Sequence, residues 1–257
     1  RAAGATLHPA HAALSTEDGC ITFASHRAGP FHLIVDAAGA GSPLTPLRAR
    51  PLPFGAVWAT VPWPIDTDLD TDVLSQRYKN AAKMAGVLPI GQLPGDPTPL
   101  AAIFWSLRSD RYQDWRDTPL SRWKAQATDL WPAFAPFLAG LSSHDDLTLA
   151  RYAHGTLRNP VGPGLARIGD AAHQASPQLG QGANMALLDA SALADAMKGR
   201  PVELALRHYA RSRRSHLAVY QLLSRFLTPL YQSDHWLPPL LRDRVFAPLV
   251  KIPPAPR

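Results

Sequence analysis

The stretch Arg167-Ile168-Gly169-Asp170-Ala171-Ala172-His173-Gln174-Ala175-Ser176-Pro177-Gln178-Leu179-Gly180-Gln181-Gly182-Ala183-Asn184 decides the reading of this chain. A short lead of apolar and small residues runs into Gly169-Asp170. Pro177, Gly180 and Gly182 then punctuate a loop, and helical spacing begins at once with Met185, Leu188, Leu193 and Met197. Asp189 and Asp195 fall on other faces of that helix. A buried strand that ends on an acid, crosses a glycine loop and enters a helix leaves backbone N–H groups unpaired, with about +0.5 of charge behind them. Asp170 can accept hydrogen bonds from hydroxyls. Gly180 and Gly182 let a flat or anionic ligand come close, because no side chain stands in the way.

The spacing G-D-x-x-H-x-x-x-P-x-x-G-x-G-x-N, followed by a D-A pair, is carried here by Gly169, Asp170, His173, Pro177, Gly180, Gly182, Asn184, Asp189 and Ala190. It resembles the second flavin-binding motif of the FAD-dependent aromatic hydroxylases, the single-component monooxygenases of the p-hydroxybenzoate hydroxylase and ubiquinone-biosynthesis hydroxylase type. The resemblance implies FAD as cofactor, NADPH or NADH as electron donor, and O2 with a small aromatic or other electron-rich apolar substrate. It also implies site roles. Asp170 holds the ribityl or phosphate end, Gly169 before it belongs to the cofactor-binding set, and Pro177 lies beside the isoalloxazine face. The backbone of Gly180, Gln181, Gly182, Ala183 and Asn184 donates to the pyrimidine edge, where the start of a helix stabilises negative charge.

A second loop carries a weaker likeness. Phe31-His32-Leu33-Ile34-Val35 reads as a short strand covered on both faces, and it runs into Asp36-Ala37-Ala38-Gly39-Ala40-Gly41-Ser42. The resembled hydroxylases place G-A-D-G-x-x-S-x-x-R here. Gly39 and Ser42 match, but Ala38 replaces the acid, and Asp36 stands where glycine is common. The departure resembles the D-A-x-G form of related flavin halogenases and reductases, so Asp36, Gly39 and Ser42 are assigned to a cofactor-side loop without a claim on nicotinamide contacts. The family's first motif, G-x-G-x-x-G on an opening βαβ unit, has no match; Gly39-Ala40-Gly41 lacks the third glycine and the following helix. The resemblance therefore implies an N-terminally truncated chain. Its alternatives are a flavin-dependent reductase or halogenase, or an inactive flavin-binding fragment.

Composition bounds the rest. The chain has 257 residues, 46% of them hydrophobic, which suffices for a sizeable core and gives no sign of disorder. Cys20 stands alone, which excludes an internal disulfide and a cysteine-based metal cluster and fits a reducing, cytoplasmic compartment. His144 and His154 lack partners at metal-ligand spacing, so no metal is expected and both read as solvated or core-edge residues. The net charge of +6 is spread out, with Arg207, Arg211, Arg213 and Arg214 as its densest cluster and no aromatic interleaving; nucleic acid is not a partner on this pattern. No apolar run approaches the roughly 20 residues of a spanning helix. Peripheral contact with anionic lipid stays open, and the oligomeric state is unspecified.

The expected fold class is mixed α/β (α+β): the remnant of a Rossmann-like FAD-binding domain, a mixed or antiparallel-sheet substrate domain, and C-terminal helices. Residues 1–50 and 151–200 belong to the first, 51–150 to the second and 201–257 to the third. Glu17-Asp18-Gly19 predicts a hairpin turn, and residues 84–91 and 100–108 predict an antiparallel pair. Residues 119–141 predict a helix with a kink or early end at Pro132 and Pro136. Another helix begins at Pro201, its stripe of Leu206, Tyr209, Leu217, Tyr220, Leu223 and Leu227 interrupted by Arg213. Trp58, Phe104 and Trp105, with Trp63, are candidates for a substrate pocket and equally for core. The sequence identifies no catalytic residue; Tyr78, Tyr112 and Tyr152 qualify as general bases only by residue type.

Overall fold

A computed structural model describes residues 4–249. Its strands are β1 (Ala13–Glu17), β2 (Cys20–Phe23), β3 (Arg27–Ala28), β4 (Ile34–Asp36), β5 (Arg50–Pro62), β6 (Ser75–Lys79), β7 (Lys83–Gly91), β8 (Leu100–Arg108), β9 (Thr148–Thr156), β10 (Val161–Gly162), β11 (Leu165–Arg167) and β12 (His173–Gln174). The helices used below are α1 (Tyr112–Asp117), α2 (Leu120–Leu130), α3 (Ala135–Leu138), α4 (Gly182–Met197), α5 (Val202–Tyr231) and α6 (Leu237–Leu241). The chain divides into two compact units, residues 1–50 with 153–225 and residues 51–152 with 226–257. Residues 1–3 and 250–257 lie outside the described residues.

In the first unit, β1 and β2 form the expected hairpin, with Glu17 opposite Cys20. Asp18 and Gly19 both adopt left-handed backbone (φ 49° and 73°), as a two-residue turn matched to strand twist requires. A separate small sheet has the order β10-β11-β4, and β11 runs parallel to β4 with Arg167 opposite Asp36. Two strand ends therefore lie side by side.

The strand expected at 31–35 is displaced and only partly covered. It spans Ile34–Asp36, with Ile34 and Asp36 buried and Val35 exposed between them. The apolar run is continuous, but only one face of this strand is covered, so the period-two alternation decides burial. Ala166 of β11 packs with Leu193 and Ala196 of α4 and with Ala205, Leu206 and Tyr209 of α5. Met185, Leu217 and Tyr220 form a second cluster. Each large apolar side chain so buried contributes about 1.5–3 kcal/mol.

The second unit is built on a sheet in which β9, β5, β8, β7 and β6 are successive neighbours. The predicted pair is β7 and β8, antiparallel with Ala85 opposite Trp105 and Gly86 opposite Phe104. Val57, Val87, Ile103 and Trp105 pack on Trp115, Trp123, Phe134 and Phe137 from α1–α3 and the turn between them. The helix expected over 119–141 ends at Leu130. Trp131 is extended (φ −151°, ψ 97°), because the residue before Pro132 is disfavoured in helical backbone. The last residues of β9 lie in the first unit, where Thr156 pairs with His173 of β12.

Candidate functional site

The turn after β11 is held tightly. Ile168 N donates to Asp36 O (3.0 Å), and Ala172 N donates to Gly169 O (2.8 Å). Gly169 has φ +57°, and a Cβ there would stand 2.9 Å from the Cβ of Ala186 on α4. Both the backbone conformation and the helix contact exclude a side chain. Asp170 is exposed and makes no hydrogen bond to another described residue. Partial desolvation raises its carboxyl above the ordinary value, and His173 acts in the opposite direction.

Pro177 opens a single turn closed by Gly180 N donating to Pro177 O (2.8 Å), with Gly180 left-handed at φ +62°. That turn delivers the chain to α4, whose N-cap residue Gln181 makes no side-chain cap. Asn184 Nδ2 instead donates to Gln181 Oε1 (2.8 Å). The first N–H groups of α4 thus lack a capping side chain and carry the positive end of the helix dipole. Ala37, Gly39, Gly169, Asp170, Gly182 and Ala183 line a cavity of about 330 Å³. A Cβ added at Gly39, Gly180 or Gly182 would meet nothing within 4 Å. A wall of glycine and alanine, an unengaged carboxylate and an uncapped helix start fit part of a flat ligand that carries hydroxyls and negative charge.

The second loop resolves differently. Asp36 is buried, and its carboxylate accepts from Ser42 Oγ (2.7 and 2.8 Å) and Ala38 N (3.1 Å). Ser42 is buried too, and its Oγ accepts from Leu44 N (3.1 Å). These two side chains brace their own loop; of the three residues assigned there, only Gly39 reaches the cavity.

Sequence reasoning counted Asp189 in the motif but gave it no role at the site. Placed above on a face away from the apolar stripe, it is fully buried. Its Oδ2 accepts from Gly169 N (2.9 Å) and His173 Nε2 (2.6 Å), and its Oδ1 accepts from Arg213 Nε (2.7 Å). Burial pushes its carboxyl up, but the bonds from His173, Arg213 and Gly169 outweigh that and hold it below the ordinary value. Arg213, which interrupted the stripe of α5, is buried as the partner of this acid. The signal was present as three polar residues at core positions, but nothing local joins positions 16 and 24 residues apart.

The aromatic candidates separate by strand face. Trp58 and Phe104 are cross-strand partners on one face, where Trp58 is exposed and the ring of Phe104 lies over Gly86. Trp105, one residue on, is buried on the other face against Trp123 (ring centroids 6.3 Å apart), so it is core. Trp63 lines a separate cavity of about 570 Å³ with Val61, Pro136 and Phe137. The acid of that cavity, Asp146, is engaged by Ser142 and Ser143. Burial raises Tyr152 to about 12, and burial with Tyr231 nearby raises Tyr78 to about 12. Both stay protonated near neutrality, which suits neither to a general base. His154 bonds Ser224 Oγ (3.1 Å), and His144 packs edge-on to Trp115, as core-edge histidines do.

The strand, glycine turn and helix start all belong to the first unit of a mixed α/β fold. A family model described as an FAD binding domain matches residues 153–221. The chain is similar in structure to PqsL, a probable FAD-dependent monooxygenase from Pseudomonas aeruginosa, at 19% identity and TM-score 0.66, covering 83% of this chain and 60% of that one. It is also similar to the tetrameric form of 2-methyl-3-hydroxypyridine-5-carboxylic acid oxygenase (20% identity, TM-score 0.65, 90% and 63% covered). A third is Klebsiella pneumoniae HpxO complexed with FAD and uric acid (17% identity, TM-score 0.67, 90% and 61% covered). This chain thus spans about three fifths of the length of these proteins. No curated protein sequence matches it.

Proposed function

We propose that the chain is part of an FAD-dependent monooxygenase that hydroxylates a small aromatic or similarly electron-rich molecule, with NADPH or NADH as electron donor and O2 as co-substrate. The observation that carries the reading is the glycine- and alanine-lined cavity between the turn at Gly169-Asp170 and the uncapped start of α4. Asp170 would take hydroxyls of the ribityl chain, and the N–H groups of Gly182, Ala183 and Asn184 would face the pyrimidine edge of the ring. FAD supplies hydride acceptance and oxygen transfer. The residues of the chain position it and stabilise negative charge on its ring.

The match to an FAD binding domain supports the cofactor. The compounds named with the similar structures support the substrate class: 2-aminobenzoylacetate with PqsL, a hydroxypyridine carboxylic acid in the name of the oxygenase, and uric acid with HpxO are all small and planar or aromatic. Trp58 and Phe104 offer one aromatic wall for such a ligand. A reductase is the second reading, favoured by the loop at Asp36, whose acid is turned inward to Ser42. The complete protein should purify yellow, oxidise NADPH or NADH faster when an aromatic acid is added, and yield a product heavier by one oxygen atom. Pyridine-nucleotide oxidation with product lacking oxygen selects the reductase, and a protein that takes up no FAD removes both readings.

A further inference from the structure

The cluster of Asp189, His173 and Arg213 lies inside the protein, behind the cavity rather than in its lining. A buried ion pair of this kind is a weak source of stability, since apolar residues of similar volume often serve as well. Its geometry is more informative. One oxygen of Asp189 takes both Gly169 N and His173 Nε2, the two residues that flank Asp170, Ala171 and Ala172. The other oxygen takes Arg213 Nε, and Arg213 Nη1 in turn contacts His216 Nδ1 (2.9 Å). A single carboxylate on α4 thereby grips the turn at both ends and is itself held by α5. Beneath the turn, the contact of Gly169 with Ala186 fixes how far it stands from α4.

We propose that Asp189 is a positioning residue for the flavin: clamped by Arg213, it fixes the turn between Gly169 and His173 so that Asp170 and the start of α4 are held at a set separation for one ligand. The inference rests on the FAD reading above. Asp189 touches no ligand in this scheme; it acts through Gly169 and His173. Loosening the turn misplaces the carboxylate of Asp170 relative to the helix N–H groups, and such displacements weaken binding steeply.

The test compares Asp189→Asn with Leu193→Ala in the complete protein. Asparagine keeps the size of the side chain but cannot accept at both of its ends. Leu193 is a buried residue of the same helix that belongs to the core cluster with Ala196 and Tyr209 and does not bond the turn. FAD affinity is read by quenching of flavin fluorescence, flavin environment by the fine structure of its visible absorption band, and stability by Tm. Asp189→Asn is expected to weaken FAD by about ten-fold or more and to alter the absorption band. At a similar fall in Tm, Leu193→Ala is expected to weaken FAD by less than about three-fold and to leave the band unchanged. Equal losses in the two variants, or normal FAD affinity in Asp189→Asn, overturn the positioning role while leaving FAD binding intact. If Asp189→Asn yields no folded protein, His173→Gln and Arg213→Lys carry the same comparison with the same criteria. A wild-type protein that takes up no FAD overturns the flavin reading and this inference with it.

Discussion

Two strand ends lie side by side in the first unit, and each presents an aspartate near a glycine turn. β4 ends at Asp36, and β11 leads to Asp170 three residues beyond its end. In sequence the two look alike. In the fold, the carboxylate of Asp36 is buried and closed off by Ser42 and Ala38 from its own loop, whereas Asp170 is exposed with no such partner among the described residues. The difference arises from what surrounds each turn. Ser42, six residues on, returns to cap Asp36; the turn at Asp170 is held from behind by Asp189, which leaves Asp170 disengaged. A buried structural acid and an exposed, cavity-lining acid can therefore share one local pattern, and a neighbouring side chain decides between them.

That contrast can be broken most severely from behind. Asp189→Ala leaves Arg213 and His173 buried without their acid, and unfolding in urea should show a loss of about 3–5 kcal/mol. A loss under about 1 kcal/mol means that the cluster is not the brace described. Asp36→Ala removes the acceptor of Ser42 Oγ and Ala38 N and should cost about 1–3 kcal/mol in the same assay. FAD affinity should change little in that variant; a large loss would place Asp36 on the ligand side after all. Asp170→Ala should leave stability within about 0.5 kcal/mol, because that exposed carboxylate has no hydrogen-bond partner among the described residues. FAD binding, measured by fluorescence quenching, should nevertheless fall roughly ten-fold, the size of one lost charge-assisted hydrogen bond. If stability falls and FAD binding does not, the roles of the two strand ends are reversed.

Acid titration sharpens the comparison with the smallest perturbation. Asp170 is shifted above the ordinary aspartate value of 3.8 and Asp189 below it. Side-chain carboxyl NMR signals should show Asp170 taking its proton first as pH falls, and Asp189 later. The stabilising contribution of Asp189 is complete above 3.8 and is lost as pH falls through its depressed value. The contribution of Asp170 has the opposite sign: it is present below 3.8 and disappears as pH rises through its raised value. Protonation of Asp189 before Asp170 contradicts the buried cluster.

Much of the fold could be read directly from residues. Asp18-Gly19 announced the hairpin, because both positions need left-handed backbone. Pro132 marked where α2 stops. The alternation of strands also separates Trp105 from Phe104, since adjacent residues cannot share a sheet face. At 31–35 continuous apolar character does not say how many faces are covered, and the strand lies at Ile34–Asp36 with Val35 exposed.

The sequence by itself determined the strand, the glycine turn and the helix start around Gly169 and Gly180, because φ angles, steric freedom and helix signals depend on residues near one another in the chain. Tertiary structure alone decided that Asp189 is buried, that Arg213 belongs to it and that Asp36 is spent on Ser42. Those outcomes depend on which helix lies against which turn. A helical pattern can place an acid on a face, but only packing supplies the arginine and histidine that make burying it tolerable.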